Sequence, residues 1–388
     1  MSFLFFKRFT LILLCIVLVI PCFTFESRAR ENTQTEDMKF DCKSAVLMEA
    51  STGTVLYEYN PDLALPPASV TKIMTLLLVM EEIEKGSLKY SDTITTSAYA
   101  ASMGGSQIFL KEGEQMSAED MIKSVVIASA NDAAVALAEH ICGSEQIFVQ
   151  RMNEKAKTLG MDNTYFENTN GLDDTANNHL TSARDIAIMS RELIKHEDIL
   201  KYSSIWMDTI RNGEFGLTNT NRLVRFYQGA TGLKTGSTSK AKFCISATAK
   251  RGNMHLICVI MGAPSSAERN SIATQLLNWG FANYELYYHS AEKLQPVKVL
   301  GGAADKCQIN TQDFAIVVKK GVASKIEKRY EIPSKVNAPI MIGDKLGSIS
   351  YHFNGEKIGE SSVNSCENIV KIDFWGLFFR ILSKFLLK

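Results

Sequence analysis

The chain has 388 residues, of which 46% are hydrophobic and 22% charged, the composition of a globular protein with two or three domains. With only 24 glycines and 8 prolines, it is neither collagen-like nor of low complexity. Lys plus Arg and Asp plus Glu each number 42, so the excess positive charge typical of nucleic-acid-binding proteins is absent and we expect no nucleic-acid partner.

Residues 1–29 have the pattern of a secretory signal peptide. Two basic residues precede an unbroken apolar run at 11–20, and small residues occur within 27–29, where a signal peptidase would cleave. An uncleaved membrane anchor is the alternative, but the apolar run is about half the length that spans a bilayer. A lipoprotein site at Cys22 is disfavoured because Pro21 precedes it. We therefore predict an exported protein.

Six cysteines follow the predicted signal peptide, widely spaced and without a Cys-x-x-Cys pair. A chain of this length does not need a disulfide to fold, so we predict buried free thiols. His, Cys and carboxylate residues do not cluster at metal-ligand spacing, which argues against a zinc site.

Strand and helix patterns alternate between residues 43 and 288, followed by an all-β pattern from residue 292. In the first region the predicted strands lie at 45–48, 55–59, 243–249 and 255–261, and the predicted helices lie at 69–83, after Ser117, and at 132–141. In the second region, short β runs at 314–318, 345–351 and 357–358 alternate with turns such as Asn354-Gly355. We therefore predict domains at 38–288 and 292–365.

Residues 368–388 contain an amphipathic helix. From residue 373 the apolar residues recur with helical spacing, and Arg380, Lys384 and Lys388 follow one another at steps of four. Such a helix is too short to span a bilayer, so we predict that it lies in the interface with its basic residues toward anionic headgroups. A terminal helix packed on the core is the alternative.

Ser69 and Lys72 form the first of three motifs that carry chemistry. Three residues apart on a helix, they share one face, and Lys72 could take the proton of the Ser69 hydroxyl if its pKa is lowered. Alone the motif is weak, because Ser237 and Lys240 have the same spacing.

The other two motifs are Ser129-x-Asn131 and Lys234-Thr235-Gly236. A hydroxyl and an amide at a helix junction could relay a proton and hold a substrate carbonyl. Lys234 and Thr235 could bind a carboxylate, and Gly236 would let a substrate backbone lie against the edge of a strand that this motif opens. Each motif by itself also fits an ordinary cap or turn.

In this order, with gaps of 60 and 105 residues, the three motifs resemble those of the penicillin-recognising serine acyltransferases. The chain closely resembles the low-molecular-weight penicillin-binding proteins that are D-alanyl-D-alanine carboxypeptidases. The resemblance runs from about Cys42 to Lys388 and includes residues 67–69 with 72–75, 128–132, 170–172, 182–185 and 232–238.

The resemblance implies a role for each motif residue. Ser69 would attack the carbonyl between two terminal D-alanines of a peptidoglycan stem peptide, with Lys72 as general base. Ser129, helped by Lys234, would pass the proton to the departing amine, and Asn131 would orient Lys72 and the substrate amide.

The resemblance also implies how the substrate is held. The backbone N–H groups of Ser69 and Ser237 would form the oxyanion hole, each worth about 100- to 1,000-fold in rate. Thr235 and Arg269 would contact the terminal carboxylate. Some family members have His where this chain has Ser237, a difference that bears on deacylation.

The family implies an α+β fold: a β-lactamase/transpeptidase-like catalytic domain with an antiparallel sheet, flanking helices and a helical cluster, then a small β-sandwich-like domain and the amphipathic helix. Its partners would be peptidoglycan, β-lactams as covalent inhibitors and an anionic bilayer at the outer face of the cytoplasmic membrane. No organic cofactor or metal is implied. A secreted β-lactamase with Glu167 as its deacylating base and a non-catalytic β-lactam or muropeptide sensor are the alternatives.

Overall fold

The computed structural model describes residues 38–173 and 176–386. The predicted signal peptide lies outside the described residues, as does Lys388. All six cysteines that follow the predicted signal peptide are described and free, and three of them, Cys244, Cys258 and Cys307, are buried.

The first part of the described chain contains nine strands and nine α-helices. The strands are β1 (Ser44–Glu49), β2 (Val55–Tyr59), β3 (Thr93–Thr95), β4 (Gln115–Ser117), β5 (Met207–Ile210), β6 (Phe215–Thr218), β7 (Ala230–Thr238), β8 (Lys242–Arg251) and β9 (Met254–Ala263). The helices are α1 (Lys72–Glu84), α2 (Ala98–Ala101), α3 (Ala118–Lys123), α4 (Asn131–Cys142), α5 (Glu145–Thr158), α6 (Ala183–Leu193), α7 (Asp198–Ser203), α8 (Leu223–Phe226) and α9 (Ser266–Asn283).

A five-stranded antiparallel sheet in the order β2-β1-β9-β8-β7 forms the centre of this part. Successive residues of a strand point to opposite faces, so Leu47 on β1 and its neighbour Val46 mark the two faces. Gly280 of α9 lies against Leu47, and Ser190 of α6 hydrogen-bonds Ser246, which shares the face of Val46. The two helices therefore cover opposite faces.

A helical cluster adjoins one side of the sheet. Helix α1 packs on α4 and α6 through side chains that are almost all buried. Ser117 caps α3 by accepting from the backbone N–H of Asp120, and Gly143 ends α4 with φ of +78°. The predicted α+β catalytic fold is confirmed.

Two local predictions need correction. The helix predicted from Ser69 begins as a 3₁₀ turn, Ala68–Thr71, and becomes α-helical only at Lys72. The Lys234-Thr235-Gly236 motif lies in the middle of β7 and does not open it. The strand begins at Ala230, and its pairing with β8 shifts register between Ala230 and Gly232. Such a shift interrupts the alternation of inward and outward side chains by which a strand is predicted.

The second part of the chain is a small β domain. Its strands are β10 (Tyr284–His289), β11 (Val297–Leu300), β12 (Lys306–Cys307), β13 (Ile309–Thr311), β14 (Phe314–Lys319), β15 (Glu327–Glu331), β16 (Lys335–Asn337), β17 (Lys345–Phe353) and β18 (Glu356–Ser365). The turn between β17 and β18 contains Asn354 and Gly355, both with positive φ, as predicted. Strand β10 pairs with β14 of this domain, whereas the predicted catalytic domain, 38–288, included all of this strand except His289.

The last helix, α10 (Phe374–Leu386), leaves its apolar side chains exposed. Arg380, which we expected to face lipid headgroups, instead donates to the Asp305 carboxylate at 2.9 Å and to the Ala303 carbonyl at 2.6 Å. Both acceptors lie in the loop between β11 and β12, so these hydrogen bonds hold the Arg380 guanidinium against the β domain. Among the described residues, no helix has the length and apolar character needed to cross a bilayer.

The close packing of α9 on the sheet gives a stability prediction. A Cβ at Gly280 would lie 2.8 Å from side-chain atoms of Leu47 and Leu256, so Gly280→Leu is expected to lower the free energy of unfolding by about 1–3 kcal/mol. Denaturant titration followed by circular dichroism measures the change. Gly216→Leu is the control, because nothing lies within 4 Å of a Cβ there. An equal loss in both variants would contradict the prediction.

Candidate active site

Ser69 and Lys72 meet at the junction between the 3₁₀ turn and α1. Lys72 Nζ lies 3.0 Å from Ser69 Oγ. Ala68, immediately before Ser69, has φ of +50°, a left-handed conformation that non-glycine residues rarely adopt. Backbone strain of this kind persists only where the surroundings enforce it, and such positions cluster at functional sites.

The partners of Lys72 define where its lone pair points. Nζ lies 2.5 Å from Asn131 Oδ1 and 2.8 Å from the Asn170 carbonyl oxygen, and both atoms can only accept. The Asn131 amide orientation is set because its Nδ2 donates to the Gly104 carbonyl at 2.7 Å. A neutral amine has two N–H bonds and one lone pair. When the N–H bonds go to these oxygens, the lone pair faces Ser69 Oγ.

The charges around Lys72 favour the neutral amine. Lys72 is completely buried, and burial followed by the nearby charge of Lys234 lowers its pKa well below 10.5, with Asp132 opposing. Burial, followed by the charge of Arg269, lowers the pKa of Lys234 to about 7. The lowered pKa of Lys72 favours the neutral amine, the form that can act as a base.

Ser129 and Asn131 lie where a π-helical turn, Ser124–Ala128, gives way to α4. Ser129 has φ of +64° and is 3% exposed, and its Oγ has no hydrogen-bond partner among the described residues. A buried hydroxyl without a partner costs free energy, which a bound group could recover. Ser129 Oγ is therefore free to exchange a proton with a ligand.

The Lys234-to-Ser237 segment lies on β7, the edge strand of the five-stranded sheet. A Cβ at Gly236 would lie 2.9 Å from the backbone nitrogen of Ser69, so only glycine lets the strand come this close to the nucleophile. This is a use of Gly236 that the sequence does not reveal. Ser237 is exposed, and the outer edge of β7 can pair with an extended peptide.

The carboxylate-binding candidates lie around this strand. Thr235 Oγ1 donates to Thr220 Oγ1 at 2.7 Å, a neighbour the sequence analysis missed. Lys234 Nζ donates to the Thr235 carbonyl at 3.0 Å. Arg269 is 5% exposed and donates to the Asn270 side chain at 3.0 Å, and its charge lowers the pKa of Lys234. Lys234 thus lies within electrostatic range of both Lys72 and Arg269.

The turn that supplies the Asn170 carbonyl is a second feature missed from the sequence. Asn168 Oδ1 accepts from the backbone N–H of Gly171 at 2.7 Å, and Thr75 Oγ1 donates to the Thr169 carbonyl at 2.6 Å. A backbone acceptor has no side-chain signature, so only the Asn-x-Asn-Gly pattern could have indicated the turn.

Asp132 holds the loop that packs against Asn131. Its buried carboxylate accepts backbone N–H groups of Ile108 and Leu110, which fixes the loop that also contacts Asn131. A hydroxyl beside a buried amine of lowered pKa, a nearby unpartnered hydroxyl and an open strand edge together are suited to acyl transfer through a serine ester.

Two family models match the chain. Residues 30–265 match the model described as D-alanyl-D-alanine carboxypeptidase, and residues 281–371 match the model described as penicillin-binding protein 5, C-terminal domain. The curated D-alanyl-D-alanine carboxypeptidase DacF of Bacillus subtilis is 44% identical over 352 residues, which cover 89% of this chain and 90% of that protein.

Solved structures agree with these matches. Penicillin-binding protein 5 from Haemophilus influenzae is 31% identical with a TM-score of 0.75, covering 86% of this chain and 98% of that chain. Penicillin-binding protein D2 from Listeria monocytogenes, solved in the ampicillin-bound form, is 30% identical with a TM-score of 0.57, covering 63% of this chain and 99% of that chain.

The interaction between the two buried lysines can be tested directly. Lys234→Met is expected to raise the pKa of Lys72, because removing the neighbouring positive charge makes its protonation easier. The pKa is read from the pH dependence of the lysine ¹³Cε resonance, assigned with a Lys72→Arg variant. Lys320→Met, which removes an exposed charge from the small domain, should leave it unchanged. An unshifted Lys72 pKa in Lys234→Met would contradict the prediction.

Proposed function

Because the chain belongs to the D-alanyl-D-alanine carboxypeptidase family of serine peptidases, we propose that it removes the terminal D-alanine of peptidoglycan stem peptides through an acyl-enzyme on Ser69. The observation that carries this assignment is the placement of Lys72, whose Nζ lies 3.0 Å from Ser69 Oγ and also contacts Asn131 Oδ1 and the Asn170 carbonyl oxygen. Shortened stem peptides cannot donate in cross-linking, so the activity limits cross-linking of the wall.

Acylation begins with transfer of the Ser69 hydroxyl proton to Lys72 Nζ. Oγ then bonds to the carbonyl carbon between the two D-alanines, and the carbonyl oxygen becomes an oxyanion that accepts from the backbone N–H groups of Ser69 and Ser237. When the C–N bond breaks, Ser129, helped by Lys234, relays the proton held on Lys72 to the departing amine, which leaves as D-alanine. Water then hydrolyses the ester and frees Ser69.

The groups that bind the terminal carboxylate of the substrate would select peptides with a free C-terminus. Thr235 would donate a hydrogen bond to it, with Arg269 and Lys234 supplying positive charge in a cleft shielded from water. Binding a carboxylate here would raise the pKa of Lys234, since an opposite charge favours its protonated form. Lys234 would then be charged when the leaving amine needs a proton.

We also propose that β-lactams acylate Ser69 by presenting a reactive amide in the same position. The Listeria relative solved in the ampicillin-bound form supports this proposal. Acylation of Ser69 by penicillin would therefore inhibit the enzyme.

The β-lactamase alternative is not favoured by the position of Glu167. This residue is exposed, and its carboxylate accepts the backbone N–H of Asn178 at 3.2 Å on the surface of its loop. It has no contact with Ser69 or Lys72 among the hydrogen bonds of the described residues. The non-catalytic sensor is disfavoured because every side chain the reaction requires is present.

We propose that α10 anchors the protein to the outer face of the cytoplasmic membrane after export. Phe374, Trp375 and Phe385 are 72%, 63% and 79% exposed, so the described chain does not cover this apolar surface. Arg380 is bound to the β domain, which leaves the aromatic side chains available for the acyl boundary of an anionic bilayer. The β domain would then act as a spacer that holds the active site above the membrane.

The carboxypeptidase proposal predicts Ser69-dependent release of D-alanine. Protein lacking residues 1–29 is incubated with a peptide ending in D-Ala-D-Ala, and free D-alanine is followed with time. Ser69→Ala is expected to abolish release, whereas Ser102→Ala, an exposed serine outside the three motifs, should retain it.

Three results would contradict this proposal. Release that persists in Ser69→Ala would remove Ser69 as the nucleophile. Absence of release together with rapid turnover of penicillin would identify a β-lactamase, and absence of release with a long-lived penicilloyl adduct would identify a sensor.

The anchor proposal predicts binding to anionic vesicles. Protein lacking residues 1–29 should sediment with phosphatidylglycerol vesicles, and Phe385→Glu should weaken this binding about tenfold because a charge enters the apolar face. Met207→Glu is the matched control, since Met207 is 63% exposed but lies on β5 of the catalytic part. Equal binding of both variants would contradict the proposal.

A further inference from the structure

The carbonyl group of Ala68 is held by hydrogen bonds that the reaction described above does not use. Thr71 Oγ1 donates to the Ala68 carbonyl oxygen at 2.8 Å. The same Thr71 oxygen lies 2.8 Å from His179 Nε2. Thr71 is completely buried and His179 is 5% exposed, so water does not compete for these bonds.

The donor and the acceptor of each hydrogen bond from Glu167 through His179 and Thr71 to Ala68 can be assigned. The backbone N–H of Glu167 donates to His179 Nδ1 at 3.0 Å, so Nδ1 carries no proton. Burial lowers the pKa of His179 to about 4 despite the nearby carboxylates of Glu167 and Asp173, so the ring is neutral at pH 7. Its single proton is therefore on Nε2 and is donated to Thr71. The Thr71 hydroxyl hydrogen is then directed to the Ala68 carbonyl.

The Ala68 carbonyl and the Ser69 N–H belong to one peptide group. This bond is not among the cis peptides of the described chain, so it is trans, and its C=O and N–H point in opposite directions. Because the group is planar, fixing the carbonyl also fixes the direction of the N–H. The left-handed φ of +50° at Ala68 means that this orientation is not the one the backbone would adopt unaided.

Gly171 supports the same carbonyl by direct packing. A Cβ at Gly171 would lie 1.8 Å from the Ala68 oxygen and 2.8 Å from Thr71 Oγ1, so the two backbones are in close contact. The preceding residue, Asn170, supplies the carbonyl that accepts from Lys72. The segment from Glu167 to Gly171 therefore contacts both the base and the peptide group of the nucleophile.

We propose that His179 and Thr71 are positioning residues that aim the Ser69 N–H into the oxyanion hole. The inference rests on the proposed function, in which this N–H stabilises the oxyanion. An oxyanion exists only in the transition state and the tetrahedral intermediate, so loss of the alignment lowers kcat while substrate binding is retained. Neither residue touches substrate in this assignment.

Thr71→Val tests the proposal, because valine keeps the shape of threonine and removes the hydroxyl. The kcat for D-alanine release is expected to fall about 10- to 100-fold, below the full value of an oxyanion donor, with KM changed less than about threefold. Thr71→Ser restores the hydroxyl and should recover kcat to within about threefold. Thermal unfolding of both variants shows whether the fold is retained.

The affinity for a boronic acid that forms a tetrahedral adduct with Ser69 separates this role from a merely structural one, which would leave that affinity unchanged. The affinity reports the oxyanion hole, so Thr71→Val should weaken it by about the same factor as kcat. His179→Phe interrupts the chain of hydrogen bonds without altering Thr71 and should lower kcat similarly. The kcat of the double variant should fall no further than that of Thr71→Val alone, because both substitutions interrupt the same series of hydrogen bonds.

Three results would overturn the proposal: equal kcat values for Thr71→Val and Thr71→Ser, a loss confined to KM, or an unchanged boronic acid affinity. Additive losses in the double variant would also overturn it. These outcomes differ from failure of the proposed function, in which the unsubstituted protein would show no Ser69-dependent release of D-alanine.

Discussion

The burial of the Lys72 amine is the constraint on which the cleft depends. Removing an ammonium group from water costs several kcal/mol, and the protein meets this cost by favouring the neutral form and providing oxygen partners. These partners come from the turn of Ser69, from the start of α4 through Asn131, and from the loop of Asn170. Three segments distant in sequence are therefore positioned around one nitrogen atom.

Local patterns predicted much of the fold, because hairpins, caps and buried strands depend on neighbouring residues. The helix after Ser117 follows from a capping side chain, and the Asn354-Gly355 turn follows from positive φ angles that few residues adopt. The three motifs identified the candidate side chains together, since their order and spacing resemble one family. The start of β7 was missed because the irregularity at Gly232 breaks its alternation.

Backbone atoms and long-range contacts could not be predicted in the same way. The Asn170 carbonyl that accepts from Lys72 and the approach of Gly236 to Ser69 depend on the folded chain, and neither has a side-chain signature. His179 lies 108 residues from Thr71, and nothing local in the sequence links them. For Arg380, helical spacing predicts the face of the helix but not the carboxylate that the face meets.

The free edge of β7 has a consequence for selectivity. A strand edge binds another chain through its main-chain amides, so it discriminates weakly among side chains that point away from it. Such a cleft would tolerate chemical variation along the stem peptide and depend on the free carboxylate for its choice of substrate. Because recognition would rest on so few groups, the enzyme could not reject a small molecule that places a strained amide and a carboxylate at the right separation.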